Sequence, residues 1–199
     1  TLDAMEDVTV TGCDAAPVFA PVDRVGQLRG PAALTGNQLN VVEIGGGALF
    51  EVETWAALGV PYLLLESIEV RAGLELGRPV EIRVAENVSF RITSEGSFSS
   101  LGGSSGNGNR IAGSTEQPGW WSGLVFVGSD SPDNRLLETT VEHGGGLGGG
   151  LDRGNVVLAT SFQVGSRLAI RRSTLARSSG FGLVASEASR LVTFEENQL

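Results

Sequence analysis

Two stretches near the end of the chain constrain its fold more than any other feature. "SRLAIRRSTL" (166–175) and "SRLVTFEENQL" (189–199) share Ser-Arg-Leu at a spacing of 23, and their second leucines, Leu175 and Leu199, lie 24 apart. Each holds a short apolar alternation, a polar turn and a closing leucine. A repeat of that length, built of short strands and polar corners, fits one coil of a solenoid whose strands stack on the coil before.

The same grammar runs upstream. Short alternations occur at "VEI" 42–44, "LFEVE" 49–53, "IEV" 68–70, "LEL" 74–76, "VEIRV" 80–84, "VSFRI" 88–92, "LVFV" 124–127, "LAI" 168–170 and "LVTF" 191–194. Period-two alternation marks half-buried strands. No helical segments separate them, which excludes βαβ units, and they are too short for most sandwiches. The 29 glycines carry no G-X-Y period and so supply turns. Residues 68–103 read as at least one and a half coils, with Glu69, Glu75, Glu81, Arg83 and Arg91 facing outward. In the last repeats Leu168, Ile170, Leu191 and Phe194 are expected to enter the coil and stack, which buries apolar area at about 25 cal/mol per Å². The expected fold is all-β, a parallel β-helix over residues 40–199. Residues 1–39 form an N-terminal cap or irregular first coil, because a solenoid end must cover its core. "GGGLGGG" (144–150) reads as a loop leaving one corner, and "GNGN" (106–109) and "GGG" (45–47) as turns.

Four segments resemble a known group, the right-handed parallel β-helix repeat modules of bacterial secreted and surface proteins, relatives in fold of pectin and pectate lyases. They are "TWAALGVPYLLLESIEVRAGLEL" (54–76), "SEGSFSSLG" (94–102), "GSTEQPGWWSGLVFVGSDSPDNRLLETTVEHGG" (113–145) and "SSGFGLVASEASRLVTFEENQL" (178–199). The resemblance implies a single-stranded, right-handed solenoid at or beyond the cell surface. It implies a role only weakly, because one fold hosts many. In the group's pattern the recurring tryptophan falls on Trp121, a corner anchor. Trp120 occupies the variable place beside it and is the candidate contact for a ligand or neighbouring subunit.

Charge narrows the partners. The net charge is −9, and all 14 basic residues are arginine. This disfavours nucleic acid and anionic membranes, which reward clustered positive charge. No stretch is apolar enough to span a bilayer. The one cysteine, Cys13, makes no internal disulfide and reads as a small core residue.

Catalytic chemistry finds little purchase. Lyases of the resembled fold use carboxylates for calcium and a basic side chain; the nearest set is "SDSPDNR", with Asp130, Asp133 and Arg135, which is first a turn sequence. Glycoside hydrolysis needs two carboxyl groups across a cleft. Glu138 with Glu142 share strand parity, and Glu195 could meet a neighbour one coil earlier, but any acidic β-helix offers such pairs. His143 stands alone and cannot build a zinc site; it reads as a corner residue. No cofactor or metal is expected. The expected function is that of a non-catalytic extracellular structural or interaction protein, one that self-assembles end to end into a filament or surface layer or forms part of a longer surface adhesin. Its partners are other subunits or surface polysaccharide, with homo-oligomers possible through the β-helix ends. Carbohydrate binding, or polysaccharide cleavage by a lyase or hydrolase of the same fold, is the alternative. Trp120, Asp130 and Asp133 are the candidate contacts.

Overall fold

The computed structural model describes residues 7–30, 32–103, 108–146 and 153–199. The first strand, β1 (Val18–Ala20), is followed by a 3₁₀ segment, Val22–Gln27. The chain then circulates through three strands per coil: β2 (Val42–Ile44), β3 (Gly47–Leu49) and β4 (Glu53–Trp55), then β5 (Tyr62–Leu64), β6 (Ile68–Val70) and β7 (Gly73–Leu76). The third coil holds β8 (Glu81–Val84), β9 (Phe90–Ile92) and β10 (Ser97–Leu101), the fourth β11 (Asn109–Gly113), β12 (Leu124–Val127) and β13 (Arg135–Leu137). The fifth holds β14 (Thr139–Glu142), β15 (Gly154–Ala159) and β16 (Arg167–Arg171), the sixth β17 (Thr174–Ala176), β18 (Phe181–Ala185) and β19 (Arg190–Glu195).

Every third strand pairs in parallel, giving three sheets. The first runs β1-β2-β5-β8-β11-β14-β17, the second β3-β6-β9-β12-β15-β18, and the third β4-β7-β10-β13-β16-β19. This is the arrangement of a parallel β-solenoid. Inward side chains stack in columns along the axis. Val42, Tyr62, Ile82, Ile111, Val141 and Leu175 form one such column, and Leu49, Val70, Ile92, Phe126 and Leu158 another; all are buried. Near the start the core is aromatic: Trp55 lies 5.6 Å from Tyr62 and 6.4 Å from Phe90, and Phe90 meets Phe98 edge-on at 5.3 Å.

The closing repeats explain their own spacing. Leu168 pairs with Leu191 and Ile170 with Phe194, so the expected stacking holds, and a register shift after Leu168 accommodates Val192 as an extra residue. That one-residue bulge turns a repeat of 23 at Leu168 into one of 24 at Leu175. Leu168 and Ile170 are fully buried, but Leu191 and Phe194 are 36% and 40% exposed, because among the described residues no rung covers them.

Polar side chains hold the corners. Between the third and first sheets, the Asn109 Oδ1 accepts the Val80 N–H at 2.9 Å, the Ser173 Oγ accepts the Thr139 N–H at 3.1 Å, and the Asn197 Oδ1 accepts the Ser173 N–H at 3.0 Å. Asn134 does the same elsewhere, accepting the Phe98 N–H at 2.9 Å while its amide donates to the Ser129 carbonyl at 3.0 Å. Each side chain satisfies the backbone of the coil before it, where a turn breaks the ladder and leaves a buried N–H without a partner.

Four details depart from the sequence reading. "LFEVE" is not one strand: Leu49 closes β3 and Glu53 opens β4, with Phe50 and Val52 exposed on the corner between them. Cys13 is half-buried outside the core, its N–H donated to Asn37 Oδ1 at 3.0 Å. Gly144–Gly146 do not leave the corner: they are buried, and the Gly146 N–H bonds the Trp121 carbonyl at 2.8 Å. Residues 147–150 of that segment lie outside the described residues, as do 106–107 of "GNGN", whose Asn109 begins β11.

Candidate functional site

A network of ionisable side chains, with two tryptophans beside it, lies on the outer face of the first sheet and the corner that follows it. Alternation places Glu81, Arg110 and Glu142 outward on β8, β11 and β14, and parallel register brings them together. The Arg110 Nη1 donates to Glu81 Oε1 at 3.0 Å; its Nη2 and Nε donate to Glu142 Oε2 at 3.0 and 3.2 Å. Arg83 also meets Glu81 Oε1, at 3.0 Å, and Arg177 approaches Glu142 at 3.8 Å. The result is a chain of alternating charges along the axis, with Arg110 half-buried at its centre.

The tryptophan turn adjoins it. Trp121 is fully buried, and its indole N–H donates to the Glu142 carbonyl at 2.8 Å, so the corner-anchor reading describes its geometry. Gly119 and Gly123 bracket the pair at φ of 80° and 101°, and a Cβ at Gly123 would come within 2.2 Å of the Gly154 carbonyl oxygen. Trp120 is half-buried against the core rather than standing free, and its indole N–H donates to Ser114 Oγ at 3.0 Å. Asn87 of the coil before binds the Trp120 carbonyl at 2.8 Å, and the Gly119 N–H bonds Gly144 of the coil after.

His143 follows Glu142 directly. It is buried at a φ of 66°, and neither ring nitrogen has a hydrogen-bond partner among the described residues. Burial holds its pKa below the ordinary histidine value; the Glu142 carboxylate opposes that shift, while Arg110 and Arg177 add to it.

The carboxylates singled out in the sequence are each matched to an arginine. Asp130 takes Arg190 on both oxygens, at 2.7 and 3.0 Å, tying the corner before β13 to β19. Asp133 meets Arg135 at 3.1 Å, and its N–H bonds Ser131 Oγ, as a turn sequence should. Glu138 sits at a φ of 50° between β13 and β14, which breaks its parity with Glu142, and it pairs with Arg172 at 2.8 Å. One coil before Glu195 lies Arg171, at 3.4 Å. Among the described residues no cluster of three or more His, Cys, Asp or Glu has the geometry of a metal site.

Two features escaped the sequence reading. Glu53 lies in a cleft of about 600 Å³ between the 3₁₀ segment and β4, where its Oε2 accepts the Gly26 N–H at 3.0 Å and the Trp55 indole N–H at 3.3 Å. Burial raises its pKa; those two hydrogen bonds oppose the shift, and Asp23 and Glu51 add to it. The second is Phe162, wholly exposed between β15 and β16. Its sequence signal was a turn, "TSFQVG", without Asn or Asp at its centre.

The described chain is an all-β stack of three parallel sheets, the class of a parallel β-solenoid. No protein-family model, curated protein or solved structure matches it.

Proposed function

We propose that the protein is a right-handed parallel β-helix acting outside the cell, or on its surface, as a non-catalytic structural or interaction module, and that its last described rung is a contact surface for a further parallel rung, supplied by the same polypeptide in a longer surface protein or by a second copy stacked end to end. The carrying observation is the state of that rung. Leu191, Phe194 and Leu199 occupy inward or closing positions yet are 36%, 40% and 74% exposed, and β18 and β19 each carry an open edge among the described residues, whereas Gln198 pairs with Thr174 on β17. An open parallel rung with an apolar interior is completed by another rung laid upon it.

The opposite end differs. Val22 and Val25 of the 3₁₀ segment are buried against β3 and β4, which supports the reading of the N-terminal residues as a cap. The right hand follows from the rule that crossovers between parallel strands of one sheet are right-handed. Extracellular placement rests on the resemblance of the four segments. The arginine partners of Glu138, Glu142, Glu195, Asp130 and Asp133 favour a structural over a catalytic reading, because each acid is held in an ion pair rather than facing another across a cleft. Polysaccharide binding through Trp120 is the weaker alternative, its ring half-buried and its N–H already donated.

Sedimentation velocity over a wide concentration range tests this. The wild-type chain should form species larger than one chain, and Phe194→Arg should shift the distribution to smaller ones. A wild-type chain that sediments as a monomer at every concentration overturns end-to-end stacking of copies.

A further inference from the structure

The first sheet has seven strands and the other two have six. At the N-terminal end β1 pairs with β2, but among the described residues no strand pairs with the outer edge of β4. The 3₁₀ segment runs there instead. Between the two lies the cleft of about 600 Å³, with Asp23, Arg24 and Gln27 on one wall and Val52, Thr54 and Ala56 on the other. Parallel pairing fixes which backbone groups of β4 enter it. The Gly77 N–H bonds the Trp55 carbonyl at 2.8 Å, so Glu53 and Trp55 turn their amide groups toward β7. Amide direction alternates along a strand, hence the Thr54 N–H and C=O point the opposite way, into the cleft. Among the described residues neither has a hydrogen-bond partner.

A free strand edge is a template for another strand. The cleft also selects what that strand carries. Glu53 stands in register with the buried Leu74, so its side chain points inward, beneath the cap. Its Oε2 takes both the Gly26 and the Trp55 N–H groups, which leaves Oε1 for a further donor. Burial raises the pKa of this carboxyl, and the charged groups that add to the shift are Asp23 and Glu51. An inward charge on an edge strand turns away an apolar strand and favours one whose facing side chain is a cation. We infer that the cleft takes an extended peptide segment of a partner protein, added as a strand to the free edge of β4, with an arginine or lysine side chain set beside Glu53. Backbone bonds to Thr54 supply affinity, and the ion pair supplies the choice of sequence. The cleft lies at the end opposite the last rung and does not rest on the contact proposed there.

The probe is the capped peptide acetyl-Val-Thr-Arg-Thr-Val-amide, titrated into the full chain and followed by amide NMR. It should bind with a dissociation constant on the order of 0.1 mM, shifting the Thr54 and Gly26 amides, and glutamate in place of its arginine should weaken binding at least about tenfold. A strand pairs along one edge with alternate amides, so methylating alternate peptide nitrogens should abolish binding in one phase and retain it in the other. Thr54→Pro removes the N–H that faces the cleft and spares the ladder to β7. It should weaken the arginine peptide at least about tenfold while the chain unfolds near the wild-type temperature. Glu53→Gln should erase the preference for arginine over glutamate. The inference is overturned if the arginine peptide shifts no amide at millimolar concentration, if the glutamate peptide binds as tightly, or if both methylation phases bind alike. Wild-type affinity in folded Thr54→Pro, or an intact preference in Glu53→Gln, overturns it equally. Should Thr54→Pro not fold, the two methylated peptides decide the question on the wild-type chain.

Discussion

Trp121 donates its indole N–H to the carbonyl oxygen of Glu142 at 2.8 Å, tying the turn before β12 to the end of β14 in the next coil. The ring is fully buried, whereas its neighbour Trp120 is half-buried and bonded to an exposed hydroxyl. Trp121→Ala should therefore cost about 3–5 kcal/mol in chemical unfolding, and Trp121→Phe about 1–3 kcal/mol for the carbonyl left without its donor. Trp120→Ala should cost no more than about 1 kcal/mol. Equal losses at the two positions would contradict the division of roles.

The corner ladder makes a second demand. Asn109 is buried, accepts the Val80 N–H and donates to Ser100 Oγ at 3.1 Å. Asn109→Ala should destabilise the chain by about 1–3 kcal/mol, since a buried N–H loses its only acceptor. Amide exchange should localise the change: Val80 loses protection, while strands two coils away keep theirs.

Glu53 should respond to pH in a definite direction. Its pKa is raised in the folded chain, so the folded state holds the proton more tightly than the unfolded one, and stability gains as pH falls through the folded value. Above it, the half-buried carboxylate costs stability. Glu53→Gln keeps an oxygen acceptor for Gly26 and Trp55 without the charge. At neutral pH it should be neutral to stabilising, by on the order of 0.5 kcal/mol because solvent screens the site. It should also flatten the acid side of the stability profile.

His143 runs the other way. Its pKa is lowered in the folded chain, so its contribution is present above the unfolded value of about 6.5 and is lost as pH falls below it. His143→Asn accepts the positive φ and does not titrate. Between pH 7 and pH 5 the wild-type Tm should fall further than that of the variant, by roughly 2–5 °C. Parallel profiles would remove His143 from the acid response.

How much of this was legible in the sequence differs by element. The spacing of Ser-Arg-Leu placed Leu168 over Leu191, and alternation set Glu81 and Arg83 outward, because side-chain parity is local and survives any coil length. The corner inside "LFEVE" was hidden for the same reason: alternation continues through Phe50 and Val52 although the backbone has turned. The Arg110 network was out of reach because coil length varies. Arg110 finds Glu81 at a separation of 29 and Glu142 at 32, while Val42 finds Tyr62 across a much shorter coil. The exposure of Phe162 depends on a two-residue reversal that no Asn-Gly pair announces.

The central claim is that the last rung is a contact surface, and concentration-dependent hydrogen–deuterium exchange over β18 and β19 tests it most directly. The amides of Phe181–Ala185 and Arg190–Glu195 should exchange quickly in dilute solution and become protected as concentration rises, with β2 through β9 unchanged. Protection of those two strands that stays the same at every concentration contradicts it.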